Sequence, residues 1–145
     1  MNKISGALKK FFLSVLPKHK TFSKIVFHKS VVQDIINFAR VNYPKEFIAL
    51  LEGKASDETL FVTGLLYQPY EASHRSASVH LNLPMVSGAI GSVHSHPSHN
   101  SWPSSADLEF FNKRGYLHCI ISYPYTSSDL VVYDNEGNEL IFEIK

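Results

Sequence analysis

The stretch that decides the fold runs from Gly88 to Asp107 and reads GAIGSVHSHPSHNSWPSSAD. Its opening is small and apolar, which predicts a buried strand that continues to His96. Pro97 cannot continue a central strand, so a polar loop follows. Ser104, directly after a second proline, is a good N-cap for a helix that Gly115 ends. The stretch therefore predicts a strand, a loop and a helix in succession.

Potential metal ligands lie on both sides of this loop. Side chains two apart on a strand face the same way, so His94 and His96 should stand side by side while Ser95 points away. Asp107 follows Ser104 by three positions, close to a capping box, and the loop can fold its carboxylate over the imidazoles. Two imidazoles and one carboxylate leave a fourth tetrahedral position free, which is typical of catalytic rather than structural zinc.

The chemistry expected of such a site is hydrolysis. Zinc lowers the pKa of a bound water from roughly 15.7 toward about 7, which gives a hydroxide nucleophile at neutral pH. Attack on a carbonyl also needs a proton acceptor and a donor to the developing oxyanion. Ser104 is close enough in sequence to be that donor.

The pattern His94-x-His96-Pro97 followed by Ser104-x-x-Asp107 resembles the JAMM motif of the MPN metalloprotease family. This family includes the proteasome-lid and endosomal deubiquitinases and small archaeal and bacterial relatives. The resemblance covers roughly residues 24–145. It implies one catalytic Zn²⁺ held by the two histidines and the aspartate, with Ser104 helping to polarise the scissile carbonyl.

The same resemblance implies an upstream glutamate as general base. The matching segment runs from 43 to 53, and Glu46 directly precedes its apolar strand. By resemblance Glu46 is the catalytic base. Spacing alone leaves Glu52 and Glu58 open, although Glu52 follows the apolar run and is expected to face solvent.

Other polar residues near the motif have simpler interpretations. His99, in the loop, is expected near solvent rather than as a spare ligand, and Trp102 either covers the site or anchors the loop against the core. Glu109 is excluded as a ligand because two helical positions turn it about 200° from Asp107. His118 has no ligand spacing, and Cys119 reads as a small buried hydrophobe without a disulfide partner.

Hydrophobic periodicity predicts an α+β fold in which a mixed sheet is flanked by two main helices, the MPN (JAB1/MPN, cytidine-deaminase-like) architecture that the resemblance also implies. Strands are predicted at 24–28, 47–51, 60–67, 78–83, 88–96, 116–122, 129–133 and 139–144, and helices at 30–41 and 105–113. Turns are predicted at 53–57 and 135–138, a polar loop at 68–76, and a turn or short helix at 84–87.

Residues 1–20 form an N-terminal extension that differs in kind from the domain at 21–145. Apolar residues fall at helical spacing and lysines lie off that stripe; the apolar members are Ile4, Leu8, Phe11, Phe12, Val15 and Leu16. The segment is too short to span a bilayer and lacks the cleavage pattern of a signal peptide. Three interpretations stay open: packing on its own domain, a homodimer or partner contact, or an interfacial membrane anchor.

Composition is typical of a single small domain. The 145 residues are 44% hydrophobic, enough for one core, and the formal charge of +1 gives no reason to expect nucleic acid. The lone cysteine fits a reducing compartment, so a cytoplasmic location is expected.

The resemblance implies a zinc-dependent isopeptidase that hydrolyses the amide between the C-terminal tail of a ubiquitin-like modifier and a lysine. The tail would lie beside the site as an added strand, in a groove shaped by residues 67–78 and 98–103. Two alternatives stay open: a peptidase that removes an amino acid from a sulfur-carrier protein, and a non-catalytic MPN scaffold, which typically has lost ligands. The sequence leaves linkage preference, oligomeric state and autoinhibition by the N-terminal helix undecided.

Overall fold

A computed structural model describes residues 6–67 and 88–145. Its helices are α1 (Gly6–Val15), α2 (Lys29–Asn42) and α3 (Ser105–Lys113). Its strands are β1 (Lys24–Phe27), β2 (Ile48–Ser56), β3 (Thr59–Tyr67), β4 (Ala89–His96), β5 (Leu117–Ser122), β6 (Leu130–Tyr133), β7 (Glu139–Leu140) and β8 (Glu143–Ile144). The α+β class is confirmed; the predicted loop at 68–76, strand at 78–83 and turn at 84–87 lie outside the described residues.

The described strands form one mixed sheet in the order β7-β6-β5-β4-β2-β3-β1-β8. The pairs β4–β5, β1–β3 and β1–β8 are parallel, and the remaining neighbours are antiparallel. The sheet is strongly curled, because β7 and β8 occupy opposite edges although only Ile141 and Phe142 separate them. So short a connection spans about 10 Å at most, so the two edges must approach each other.

The C-terminal segment, predicted as one strand, forms the two short strands β7 and β8. The sequence pattern predicted a continuous strand at 139–144, and that prediction was wrong. Ile141 leaves the sheet with a 93% exposed side chain, and the ring of Phe142 packs 5.1 Å from that of Phe27 on β1. The chain thus pairs with β6, turns at Ile141 and then pairs with β1, which period-2 alternation within the segment cannot reveal.

The core has two layers, one on each face of the sheet, because successive residues of β2 point to opposite faces. Phe47, Ala49 and Leu51 pack in the cluster that contains the buried stripe of α2, which consists of Val31, Val32, Ile35, Ile36 and Ala39. Ile48 and Leu50 pack in the second cluster, with Phe110 and Phe111 of α3. Cys119 is free and buried in the first layer, as predicted, and burial raises the pKa of its thiol.

The helix α1 belongs to the second layer. Leu8, Phe12 and Leu16 are each only 1% exposed and pack against β2 and α3. Its end is tied to the end of α3, where Arg114 Nε donates to the Leu16 carbonyl at 2.6 Å and Gly115 N donates to the Pro17 carbonyl at 2.7 Å. The apolar stripe of α1 is thus buried in its own chain. Within the described ranges, none of the helices has the length and apolar character needed to cross a bilayer.

The turn between β2 and β3 lies further along the chain than predicted. The sequence pattern predicted a turn at 53–57, but β2 continues through Ser56 and only two residues, Asp57 and Glu58, form the turn. Asp57 has a φ of 55°, the left-handed conformation that a tight hairpin turn favours. Gly53 instead lies at a shift in strand register, where a Cβ would crowd the Phe61 carbonyl.

Candidate metal centre

The strand β4 lies between β2 and β5 near the middle of the sheet and ends in the two candidate histidine ligands. His94 and His96 face the same side, with ring centroids 5.0 Å apart and Nε2 atoms 3.2 Å apart. Ser95 points to the other face, where its Oγ accepts a hydrogen bond from Phe47 N at 2.9 Å. The predicted side-by-side arrangement of the imidazoles is confirmed.

The third candidate ligand is positioned by the cap of α3. Ser104 Oγ accepts from Asp107 N at 3.1 Å, and Asp107 Oδ2 accepts from Ser104 N at 2.8 Å, which is a complete capping box. These bonds hold the carboxylate against β4, where Oδ1 lies 3.2 Å from His94 Nε2 and Oδ2 lies 3.3 Å from His96 Nε2. The loop does bring Asp107 to the two imidazoles.

The spacing of these atoms fits a zinc ion. Ligand atoms roughly 2.0–2.1 Å from a tetrahedral zinc lie about 3.3–3.4 Å from one another. The two Nε2 atoms are 3.2 Å apart, close to that spacing, and each lies within 3.3 Å of a different oxygen of the Asp107 carboxylate. The carbonyl of Asn100, 3.2 Å from His96 Nδ1, can only accept, so Nδ1 donates to it and Nε2 faces the cluster, where it can bind a metal once it has lost its proton. Among the described residues, the cluster contains His94, His96 and Asp107 and no other histidine, cysteine or carboxylate. Those residues therefore leave the fourth corner to water or substrate.

The family model for prokaryotic homologs of the JAB domain matches residues 28–133, which is most of the chain. The chain belongs to the JAMM/MPN family. A probable metalloprotease from Haloferax volcanii is 31% identical over 123 residues, which cover 74% of this chain and 73% of that protein. The family assignment thus rests on both a family model and a relative of similar length.

Solved structures of JAMM/MPN proteins share the fold. A JAB1/MPN domain protein from Archaeoglobus fulgidus has a TM-score of 0.65 and 28% identity, with 85% of this chain and 99% of that chain covered. A structure described as a metalloprotease-like JAMM zinc site in the proteasome and signalosome has a TM-score of 0.61 and 31% identity, covering 86% and 99%. A zinc site in that relative accords with the His-His-Asp cluster found here.

Glu46 lies beside the His-His-Asp cluster because of the pairing between β2 and β4. Ile48 is opposite His94, and Phe47 is bonded to Ser95 on both its N–H and C=O, so the next position places Glu46 opposite His96. Burial raises the pKa of its half-buried carboxyl; the charges of the two imidazoles lower it and Asp107 raises it, and the pKa stays above its ordinary value. A carboxylate with a raised pKa is better suited to accept and release a proton near neutral pH.

Burial alone would likewise raise the pKa of Asp107. The hydrogen bonds from His94 and His96 and from the Ser104 backbone outweigh burial and hold that pKa below its ordinary value. The carboxylate is therefore ionised throughout the physiological range, which a metal ligand requires.

The other upstream glutamates lie elsewhere. Glu52, which was expected to face solvent, is half-buried beside Gly64 and Gly88, near the bulge in β2. Glu58 Oε1 accepts from Ser23 Oγ at 2.9 Å in the β2–β3 turn. Of the three glutamates that spacing left open, Glu46 is the one that strand pairing places opposite His96.

The loop between the ligands is anchored by Ser101. Its Oγ donates to the Asp129 carbonyl at 2.8 Å, and its own carbonyl accepts from the Tyr133 hydroxyl at 2.6 Å. The interpretation of Trp102 as the anchor is wrong, since its side chain is 75% exposed. His99 is exposed as predicted and packs edge-on against Tyr123 with ring centroids 5.3 Å apart.

Sequence reasoning missed the role of His118. This residue is fully buried and stacks on Phe111 at 4.6 Å, and the Phe111 ring lies 6.3 Å from that of His94. Its Nε2 donates to the Arg114 carbonyl at 2.8 Å, so Nδ1 accepts from the Ser92 hydroxyl at 2.6 Å. His118 thus contacts the ligand strand on the face that carries His94 and His96. Ser92 and His118 are cross-strand partners of β4 and β5, a pairing that sequence separation conceals.

Proposed function

We propose that this JAMM/MPN protein is a zinc-dependent isopeptidase that hydrolyses the amide between the C-terminal tail of a ubiquitin-like modifier and a lysine. One observation carries the proposal: the two imidazole Nε2 atoms lie 3.2 Å apart and each is within 3.3 Å of an oxygen of the Asp107 carboxylate, beside Glu46, a carboxyl with a raised pKa. Membership of a metalloprotease-like family supports hydrolysis as the reaction class.

His94, His96 and Asp107 hold the ion in this proposal, and the capping box keeps Asp107 from swinging away. A zinc ion held there would supply Lewis acidity, which would polarise the scissile carbonyl and lower the pKa of water toward about 7. The indole of Trp102, exposed in the loop between the ligands, offers the tail an apolar surface near the site.

Glu46 acts as the proton carrier. Its carboxylate takes a proton from the attacking water as oxygen bonds to the carbonyl carbon. When the C–N bond breaks, Glu46 returns that proton to the departing amine, so it ends each cycle ionised again. Its half-buried position and raised pKa suit both transfers.

Ser104 stabilises the charge that develops on the substrate carbonyl oxygen. Its Oγ already accepts the Asp107 N–H, so a lone pair is used and the hydroxyl hydrogen remains free to donate. Because the helix cap holds this donor in place, it needs little reorganisation during the reaction. Effective oxyanion stabilisation requires such a preorganised donor.

A direct test offers the zinc-loaded protein two substrates, a ubiquitin-like modifier joined through its tail to a lysine and a sulfur-carrier protein extended by one amino acid. Mass spectrometry of the products distinguishes isopeptidase from amino-acid-removing peptidase activity. Glu46→Gln should retain zinc and lose turnover by at least about a hundredfold, whereas the matched Glu52→Gln variant should stay active. Full activity of Glu46→Gln would reject this residue as the base.

The scaffold alternative is tested by metal content. Wild-type protein should contain close to one zinc per chain, His94→Ala should contain far less, and His99→Ala should match the wild type. A wild-type protein that takes up no stoichiometric zinc would instead favour a non-catalytic scaffold.

A further inference from the structure

A groove of about 220 Å³ runs between α1 and α3. It is lined by Lys9, Lys10 and Leu13 from α1 and by Ala106, Phe110 and Lys113 from α3. The groove begins beside the candidate metal centre, because Ala106 immediately precedes Asp107 in the first turn of α3.

The rim of this groove is positively charged. Lys9, Lys10 and Lys113 contribute three ammonium groups, and the carboxylate on the lining is that of Glu109. Within residues 6–67 and 88–145, none of these four side chains forms an ion pair with another residue. Among the described lining residues three ammonium groups therefore face one carboxylate, and this excess of positive charge attracts an external anion.

The floor of the groove is apolar. Phe110 is buried and Leu13 is half-buried, and both belong to the layer that α1 forms with α3. Long lysine side chains at the rim of an apolar floor favour a ligand that carries both carboxylates and aliphatic side chains. A short acidic peptide segment has this chemistry.

The helix that builds half of the groove precedes the part of the chain that the family model matches, which begins at residue 28. The Archaeoglobus fulgidus structure is matched over 99% of its length by 85% of this chain. The charge of Lys9 also lowers the pKa of Glu46, so α1 is near enough to influence the site.

We infer that the groove between α1 and α3 binds an acidic segment of the protein substrate and holds that substrate beside the metal centre. The inference rests on the proposed function, and it adds a recognition surface outside the His-His-Asp cluster. α1 is on this account a specificity element, and its apolar stripe, packed in the second core layer, also fixes its basic side chains along α3.

The test measures binding separately from hydrolysis. Zinc-loaded Glu46→Gln protein is titrated against a short fluorescein-labelled peptide of alternating Glu and Leu, with fluorescence anisotropy as the readout. We expect Lys10→Glu/Lys113→Glu to weaken binding at least about tenfold, because two attractive contacts become repulsive. The control Lys18→Glu/Lys54→Glu changes the net charge equally at exposed positions outside the groove and should alter affinity less than about twofold.

Each outcome decides one of the two proposals. If the protein hydrolyses a conjugate and Lys10→Glu/Lys113→Glu leaves the KM for it unchanged, the groove inference is overturned and the proposed function stands. If no conjugate is hydrolysed but the peptide binds through these lysines, the groove survives as an acidic-peptide site and the isopeptidase proposal fails. Equal effects of the two double variants, or binding to phosphatidylserine vesicles in place of the peptide, would overturn the groove inference.

Discussion

Ser104 and Asp107 each have two roles: their side chains form the cap of α3, and the same side chains belong to the candidate metal centre. The capping box that starts α3 also turns the Asp107 carboxylate toward the imidazoles, and it uses only the acceptor side of the Ser104 hydroxyl. Removing the Ser104 hydroxyl should therefore lower turnover strongly and the free energy of unfolding only slightly.

We predict that Ser104→Ala lowers turnover about a hundredfold with zinc still bound, because it removes a donor to the oxyanion. The lost cap should lower the free energy of unfolding by only about 1 kcal/mol. Steady-state kinetics on the hydrolysed conjugate and urea unfolding measure the two effects. Ser104→Thr keeps both the cap and the hydroxyl and should remain active within about tenfold; equal losses in the two variants would contradict the donor role.

His118 makes stability depend on pH. Burial lowers its pKa from 6.5 to about 4, although the bond to the Arg114 carbonyl opposes the shift. The unfolded chain takes up a proton as pH falls through 6.5, while the folded protein stays neutral until about pH 4. The stabilisation is complete above the unfolded pKa and is lost as pH falls across this window.

We predict that zinc-free protein loses about 2 kcal/mol of unfolding free energy through His118 between pH 7.5 and pH 5. Urea denaturation in the presence of EDTA at the two pH values measures the loss. His118→Gln should be less stable at both values but should show a correspondingly smaller difference between them, whereas exposed His99→Gln should keep the wild-type difference. An unchanged difference in His118→Gln would assign the acid sensitivity to other groups.

Which site residues the sequence could predict depends on how far apart they lie in the chain. His94, His96, Ser104 and Asp107 fall within one stretch, so strand alternation and a cap motif suffice to bring them together. Glu46 reaches them only through the antiparallel register of β2 and β4, which no local pattern encodes. For that reason its assignment depended on a family resemblance.

At the scale of elements, β4 packs closely against β5 because it carries a glycine where the two strands approach. Gly91 is opposite Leu117 in the parallel pair, and a Cβ at this position would overlap the Leu117 carbonyl. His94 and His96 are on the same strand, so any displacement of β4 also moves two candidate ligands.

We predict that Gly91→Ala lowers the free energy of unfolding by about 1–3 kcal/mol or more and weakens zinc binding, because the added methyl group pushes β4 away from β5. Thermal unfolding and zinc titration measure the two effects. Gly6→Ala is the matched control, since among the described residues beyond its own helix no atom would lie within 4 Å of a Cβ there. It should be neutral or stabilising by up to about 1 kcal/mol as a glycine-to-alanine change in a helix. Similar stability of the two variants would show that β4 can shift without cost.

Most helices and strands followed from periodicity, and the errors share a cause. The pattern gave α2 and α3 to within about one residue at each end, since amphipathic stripes and caps are local. It failed at residues 53–57 and 139–144, where a bulge and a change of pairing partner decide the structure. Both depend on strands distant in sequence.

At the scale of the molecule, the curled sheet is what makes the site compact. Because β4 is central, the segment that leads into β2 supplies Glu46 from one side, and the first turn of α3 supplies Asp107. Hydrophobic patterning predicts that such a sheet is covered on both faces. It does not predict the strand order or the approach of the β7 and β8 edges, because both depend on how strands distant in sequence pair.

Zinc should stabilise the whole molecule by binding a site that folding completes. At a free zinc concentration about a hundredfold above Kd, the maximum gain is about 2.7 kcal/mol if the unfolded chain binds none. The three candidate ligands lie close together in sequence, so the unfolded chain keeps some affinity and the real gain is smaller. We therefore predict that zinc raises the Tm of the EDTA-treated protein by several degrees and by no more than about 10 °C.

Scanning calorimetry with and without added zinc measures this shift. The His94→Ala variant tests whether the shift comes from zinc bound at the His94, His96 and Asp107 cluster. The variant should unfold at nearly the same temperature in both conditions, because a site with two remaining ligands binds too weakly to affect the equilibrium. The comparison is made within each protein, so the intrinsic effect of the substitution on stability cancels. An equal zinc-induced rise in wild type and His94→Ala would mean that the ion binds elsewhere, and the role of the His94, His96 and Asp107 cluster would have to be abandoned.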